Sequence, residues 1–255
     1  MIDGWTAAQV KAAEQPHLDA GEPLMHRASA GLAREVERLL RDAGRWPAPV
    51  VLVVGSGSNG GDALFAGALL AEAGCAVTVV PTGSRLHEEA LAAARASGAV
   101  VDDAARWSTV GEAGVRLRET GAAVLLDGVL GTGTSACPAL RGRARDVVAA
   151  LLPWVTAPTA PTAHAAATAH AAATAHTGPL VVAVDVPSGI GPDDGAVPDP
   201  TVLPATLTVT FGAHKAGLLI EPAAGLAGEV VLVDIGLLPD LAAVPPAVSV
   251  PDRAS

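Results

Sequence analysis

Val50–Gly67 reads VVLVVGSGSNGGDALFAG. An apolar, mostly β-branched run enters a glycine-rich turn, and an alanine- and leucine-rich stretch of helical character follows. Gly55, Gly57 and Gly60 have the G-x-G-x-x-G spacing of a turn that seats a dinucleotide against a helix N-terminus. Two details separate this turn from that of a conventional dehydrogenase. Asp62 sets a carboxylate at or near the helix start, where it competes with phosphate for the backbone N–H groups; the alternative for Asp62 alone is a plain helix N-cap. The second strand, Ala76–Val80, then runs into Pro81, Thr82 and Gly83, without the acid that holds an NAD ribose. The loop still reads as a ligand-binding turn. Three glycines with Asn59 and Asp62 are costly to order unless the backbone must approach something closely.

The same alternation runs outward from this stretch. Strand-like runs are Val50–Val54, Ala76–Val80, Ala99–Val101, Val124–Asp127, Leu180–Asp185, Ala205–Phe211 and Glu229–Ile235. Helical stretches follow the first four, over Asp62–Ala73, Leu86–Ser97, Thr109–Thr120 and Arg141–Leu152. Fully apolar strands alternating with helices predict a parallel sheet covered on both faces, an α/β Rossmann-like three-layer αβα sandwich. No long helix separates the final strands, so a mixed or antiparallel edge is expected there. Before the first strand, Thr6–Arg41 reads as helix in two pieces broken near Gly21–Pro23, with Thr6 as N-cap.

Two segments stand apart. Residues 156–178 repeat TAHAAA and consist almost wholly of Ala, Thr, Pro and His, a low-complexity insertion within the domain of residues 1–240. His164, His170 and His176 recur every six residues. On a helix that spacing turns successive side chains to different faces, which disfavours metal binding. Residues 241–255 are Pro- and Ala-rich and resemble a tail or linker.

The chain has 255 residues, enough for one large α/β domain. A formal charge of −10 with no basic cluster argues against nucleic acid and anionic membrane as partners. No run approaches the roughly 18 apolar residues of a membrane span. Cys75 and Cys137 are too few for a disulfide scaffold, so a cytoplasmic setting is expected.

In such a sheet ligands bind outside the carboxyl ends of the strands. Three loops there carry polar residues: GSGSNGGDA after the first strand, DGVLGTGTSAC from Asp127 and DVPSGIGPDDG from Asp185. The second offers glycines and hydroxyls without Lys or Arg, a cradle whose N–H groups suit phosphates. Asp185 closes the most apolar strand, a partly desolvated place useful for general acid or base work; the alternative is a carboxylate that only organises the next turn. Ser188 lacks the surroundings of a nucleophile. Asn59, Asp127, Asp185 and the Ser188 hydroxyl are oxygen ligands on three adjacent loops, and with glycine-loop carbonyls they suit a hard cation better than zinc. Lys215, between glycines at a later strand end, is either a site residue or solvated.

Together the segments GSNGGDA, DGVLGTG, DVPSG and TVTFGAHK resemble, in order and approximate spacing, the motifs G-N-N-G-G-D-G, D-A-x-x-G-T-G, D-I/V-P-S-G and T-x-T-F-G-x-x-K of the NAD(P)H-hydrate epimerase family, the N-terminal domain of the YjeF type. TAAQVKAAEQ, PLMHRASAGLA and GEVVLVDIGL resemble the family's start and end. Ser58 stands where the family has Asn, and Ala63 where it has Gly. The resemblance implies an isomerase that interconverts the R and S forms of 6-hydroxylated NADH and NADPH (NADHX and NADPHX), a repair of damaged cofactor. It implies one potassium ion per subunit on Asn59, Asp127 and Ser188. The substrate would lie on Ser58, Asn59, Gly60, Gly61 and Asp62, on Gly131, Thr132, Gly133, Thr134, Ser135, Ala136 and Cys137, and on Asp185. Asp185 and Lys215 are the expected catalytic residues. A homodimer is expected, with an NAD(P)H-hydrate dehydratase fused or separate. The rival expectation is a non-catalytic nucleotide-binding or dimerisation module of the same fold.

Overall fold

The computed structural model describes residues 1–134, 137–155 and 178–251. His164, His170 and His176, and the insertion apart from Gly178, lie outside the described residues, as do residues 252–255.

The chain opens on a short strand, β1 (Ile2–Gly4), followed by helices α1 (Ala7–Asp19) and α2 (Leu24–Asp42). Thr6 caps α1 as expected. Its hydroxyl accepts the Gln9 N–H at 3.2 Å, and the Gln9 carboxamide accepts the Thr6 N–H at 2.8 Å. The alternating region then builds β2 (Val50–Val54), α3 (Ser58–Glu72), β3 (Val77–Pro81), α4 (Glu88–Ala96), β4 (Val100–Val101), α5 (Val110–Thr120), β5 (Val124–Gly128) and α6 (Gly142–Leu151). Strands β6 (Leu180–Val184), β7 (Leu207–Phe211), β8 (Glu229–Val233) and β9 (Val248–Val250) follow.

Seven of the strands form one sheet in the order β4-β3-β2-β5-β6-β7-β8. Side chains alternate across it. Val50, Leu52 and Val54 pack with α1 to α4 on one face, while Val51 and Val53 pack with α5 and α6 on the other. That alternation makes the three layers expected from the sequence, and it explains why the strands read as unbroken apolar runs. Among the described residues, no helix is long and apolar enough to cross a membrane.

The expected mixed edge is corrected: every neighbouring pair in the sheet is parallel, β7 with β8 included. The crossovers to β7 and β8 are irregular segments, the second with short helical turns at Ala216–Leu219 and Ala223–Leu226. Their own apolar cluster, Val186, Ile190, Val202, Leu218, Ala223 and Ala227, replaces the helix that the sequence lacks. The tail, read as a linker, instead supplies β9, which pairs antiparallel with β1 from Ile2↔Val250 to Gly4↔Val248.

The strand order reverses between β2 and β5. The chain leaves β2 towards β3 and β4, then returns to β5 on the other side of β2. The loops after β2 and β5 diverge at this switch point and open the crevice where such sheets bind ligands.

Candidate active site

The glycine turn after β2 is held from both sides. A Cβ added at Gly55 would lie 1.9 Å from the Val129 carbonyl, and one at Gly60 would lie 2.2 Å from the Gly55 carbonyl. α3 begins at Ser58, four residues before the expected Asp62, with Gly57 in extended conformation as its N-cap. Asn59 to Asp62 therefore belong to the first turns of the helix, and the N-cap alternative for Asp62 does not apply. Asn59, now rooted in a helix, donates to the carbonyls of Leu130 at 3.1 Å and Val184 at 2.5 Å. It ties the β2, β5 and β6 loops together.

Asp127 lies at the end of β5, fully buried. Its carboxylate accepts the backbone N–H of Ser188 at 2.9 Å and that of Val129 at 3.4 Å. Burial raises its pKa, and the Ser188 hydrogen bonds draw it back down. The Ser188 hydroxyl accepts the Leu130 N–H at 2.9 Å and donates to the Leu130 carbonyl at 3.2 Å. Of the expected cation ligands, Asn59 and Ser188 thus meet on Leu130, and Asp127 joins them through the Ser188 N–H. Among the described residues Asp127 has no ion-pair partner, and no group of three or more His, Cys, Asp and Glu is placed to hold a metal ion. One carboxylate with neutral oxygen donors and no sulfur or imidazole fits a hard monovalent cation.

Gly131 lies beside this knot: a Cβ there would fall 2.1 Å from the Asn59 side-chain oxygen. Gly131→Ala is expected to displace Asn59 and lower activity by about 10-fold or more through misplacement. Circular dichroism should stay native, because the residue is half-exposed. Wild-type turnover in that variant would show that Asn59 needs no fixed position.

Asp185 follows β6 with φ +66, the one non-glycine in the left-handed region among the described residues. Such a conformation is held by its surroundings and is frequent where a site requires it. Its Oδ1 accepts the Thr210 hydroxyl at 3.1 Å, the Phe211 N–H at 3.3 Å and the Lys215 ammonium. Lys215 also donates to the Phe211 carbonyl at 2.7 Å and the Thr210 hydroxyl at 3.2 Å, and is only 2% exposed. The solvated alternative for this lysine is thereby excluded.

Asp62 lies one turn beyond Asn59 and shares its helix face. It is buried, and burial lifts its carboxyl well above the usual carboxylate range. The charges of Asp185 and Glu14 push it the same way, while Lys215 and the Ser29 hydroxyl oppose. Glu14 on α1 is also raised, by burial first, with Lys215 opposing. The Lys215 ammonium pairs with Asp185 at the β6 end, and its charge also acts on Glu14 of α1 and Asp62 of α3. Sequence reasoning missed Glu14 and Ser29. The available signal was their place on apolar stripes, Glu14 one turn after Val10 and Ser29 one turn after Met25.

The raised carboxyl has a consequence for stability. Folded Asp62 keeps its proton to higher pH than the unfolded chain, whose carboxyl titrates near pH ~3.9. Stability is therefore lost as pH rises from there towards the raised folded value. Asp62→Asn removes that loss and should raise the melting temperature by about 2–4 °C for each kcal/mol recovered at neutral pH, but not in acid. An equal change at both pH values in thermal melts would count against a proton held at Asp62.

The remaining expected residues divide. Ser58 is exposed at the first turn of α3, and Thr132–Thr134 form a short helical turn on the rim. Cys137 is exposed, its sulfur accepting from Arg141 at 2.6 Å. Ser135 and Ala136 lie outside the described residues.

Residues 21–217 match the family described as YjeF-related protein N-terminus. The chain is 48% identical to an NAD(P)H-hydrate epimerase of Clavibacter michiganensis, over 93% of this chain and 92% of that protein. It is 43% identical to one from Microbacterium testaceum, over 97% and 84% of the two chains. A bifunctional NAD(P)H-hydrate repair enzyme of Mycobacterium tuberculosis is 39% identical over 89% of this chain, which corresponds to 40% of that protein. The crystal structure of yeast ynu0 superposes with a TM-score of 0.64 at 16% identity, covering 91% of this chain and 87% of that one, a likeness of fold.

Proposed function

The chain belongs to the YjeF-related protein N-terminus family, and from that premise we infer that it is an NAD(P)H-hydrate epimerase, an isomerase of hydrated nicotinamide cofactors. The observation that carries the site assignment is the Asp185–Lys215 pair, buried at the ends of β6 and β7 beside the glycine turn.

The substrate carbon that bears the hydroxyl adjoins the ring nitrogen. A proton delivered to the hydroxyl lets the C–O bond break, its electrons leaving with water. The nitrogen lone pair forms the new C=N bond of an iminium cation. Water then adds to either face, and the proton it sheds returns to the protein. Asp185 carries this acid–base exchange, with Lys215 fixing its carboxylate. The glycine turn, Ser58 to Asp62 and Gly131 to Cys137 receive the ribose and phosphates. Asn59, Asp127 and Ser188 would hold a potassium ion, which when bound would supply a fixed positive charge for the substrate's phosphate oxygens.

The chain is further taken to act in the cytoplasm as a homodimer. The bifunctional relatives support a dehydratase working beside it, fused or separate.

The test is direct. Purified protein is mixed with each hydrate epimer, and their interconversion is followed by chromatography with potassium present and with sodium in its place. Acceleration over the spontaneous rate that depends on potassium is expected. No acceleration favours the nucleotide-binding module, and acceleration indifferent to potassium removes the cation from the reading.

A further inference from the structure

Lys215 is fastened from a part of the chain that lies ahead of the matched family segment. Trp5 forms a parallel bridge with Lys215. Its N–H donates to the His214 carbonyl at 2.9 Å, and its carbonyl accepts the Ala216 N–H at 2.9 Å. The lysine is thus clamped through the residues on either side of it. Gly4 lets the segment lie this close: a Cβ there would meet Ala216 Cα at 3.0 Å and Leu219 Cδ1 at 2.9 Å.

The segment is itself held down. The Trp5 indole donates to the Val244 carbonyl at 3.1 Å, and Ala247 N–H donates to the Gly4 carbonyl at 2.8 Å. β9 pairs along β1. Two residues on, the Ala7 N–H donates to the Asp193 carboxylate at 2.6 Å, in the loop that continues from Asp185 and Ser188. The segment that leads from β1 into α1 therefore touches both loops that carry the ion pair. Lys215 must hold its ammonium on Asp185 at the end of a long flexible side chain, and a fixed backbone is what limits its freedom.

We propose that residues 4–7 are a positioning strap of the epimerase site, with Trp5 as the positioning residue that sets the backbone of Lys215. The inference rests on the assignment of Lys215 to the reaction.

Ala216→Pro tests it with little local strain. Ala216 is the first residue of its helical turn, where the proline φ is suited, and Lys215, at φ −76 and ψ 137, already has the extended conformation that precedes proline. The substitution removes the N–H that reaches the Trp5 carbonyl and puts ring carbon against it. Gly4→Val disturbs the same contact from the opposite side. In each, kcat is expected to fall by about 10- to 100-fold from a displacement of about 1 Å. KM and melting temperature should stay close to wild type.

Wild-type kcat in both Ala216→Pro and Gly4→Val overturns the proposal, provided Lys215→Met is inactive in the same assay. A loss of kcat that tracks a loss of melting temperature in both variants also overturns it, since the segment is then merely structural. An active Lys215→Met defeats the prior assignment of the lysine instead.

Discussion

Asp185→Asn should remain folded and lose about 100- to 10,000-fold in epimerase turnover, the range of a lost general acid–base group. The substitution is nearly isosteric. Asparagine tolerates the left-handed backbone that Asp185 adopts at φ +66, so the turn after β6 should persist. Its carboxamide oxygen can still accept from the Thr210 hydroxyl, the Phe211 N–H and the Lys215 ammonium. It cannot take up and return a proton. Chromatography of the two hydrates at saturating substrate measures the loss, and turnover within a few-fold of wild type would remove Asp185 from the chemistry.

The second large effect concerns stability. Lys215→Met leaves the Asp185 carboxylate buried beside a methionine, and breaking a buried pair in this way costs about 3–5 kcal/mol. The double variant Asp185→Asn with Lys215→Met removes both charges and should recover much of that loss, because no charge is then left uncompensated. Urea unfolding of the two single variants and the double variant reads the coupling. Losses that simply add would mean that the two side chains do not interact, contrary to their shared contacts with Thr210 and Phe211.

Much of this site could be read from the residues alone, for physical reasons that differ from place to place. Asp127 and Asp185 were legible because each ends an otherwise apolar strand, and in a doubly wound sheet the strand ends face the ligand crevice. The early start of α3 was not. Its first turn holds Gly60 and Gly61, which disfavour helix intrinsically, and tertiary packing against the β2 and β5 loops overrides that preference. Lys215 was ambiguous because its partner lies 30 residues away, across a strand pairing that no local pattern reports. Glu14 was hidden for the opposite reason: a charged residue on an amphipathic helix reads as solvent-facing until another element covers it. The parallel β8 was misjudged because a crossover without a long helix leaves no 3.6-residue period to recognise. β1 and β9 are shorter than any reliable alternation, and their register depends on contacts across almost the whole chain.

That last pairing also sets an order of events. Ile2 opposite Val250 closes nearly the entire chain into one loop, the most non-local contact in the fold, and the entropy of such closure is recovered only when both ends have somewhere to dock. The sheet can assemble from β2 to β8 without it. A nascent chain still lacking Val248–Val250 can therefore hold its core and glycine turn while Gly4 and Trp5 remain without their partner strand. The pairing of β1 with β9 is then also the step that completes the fastening of the Lys215 backbone through Gly4 and Trp5.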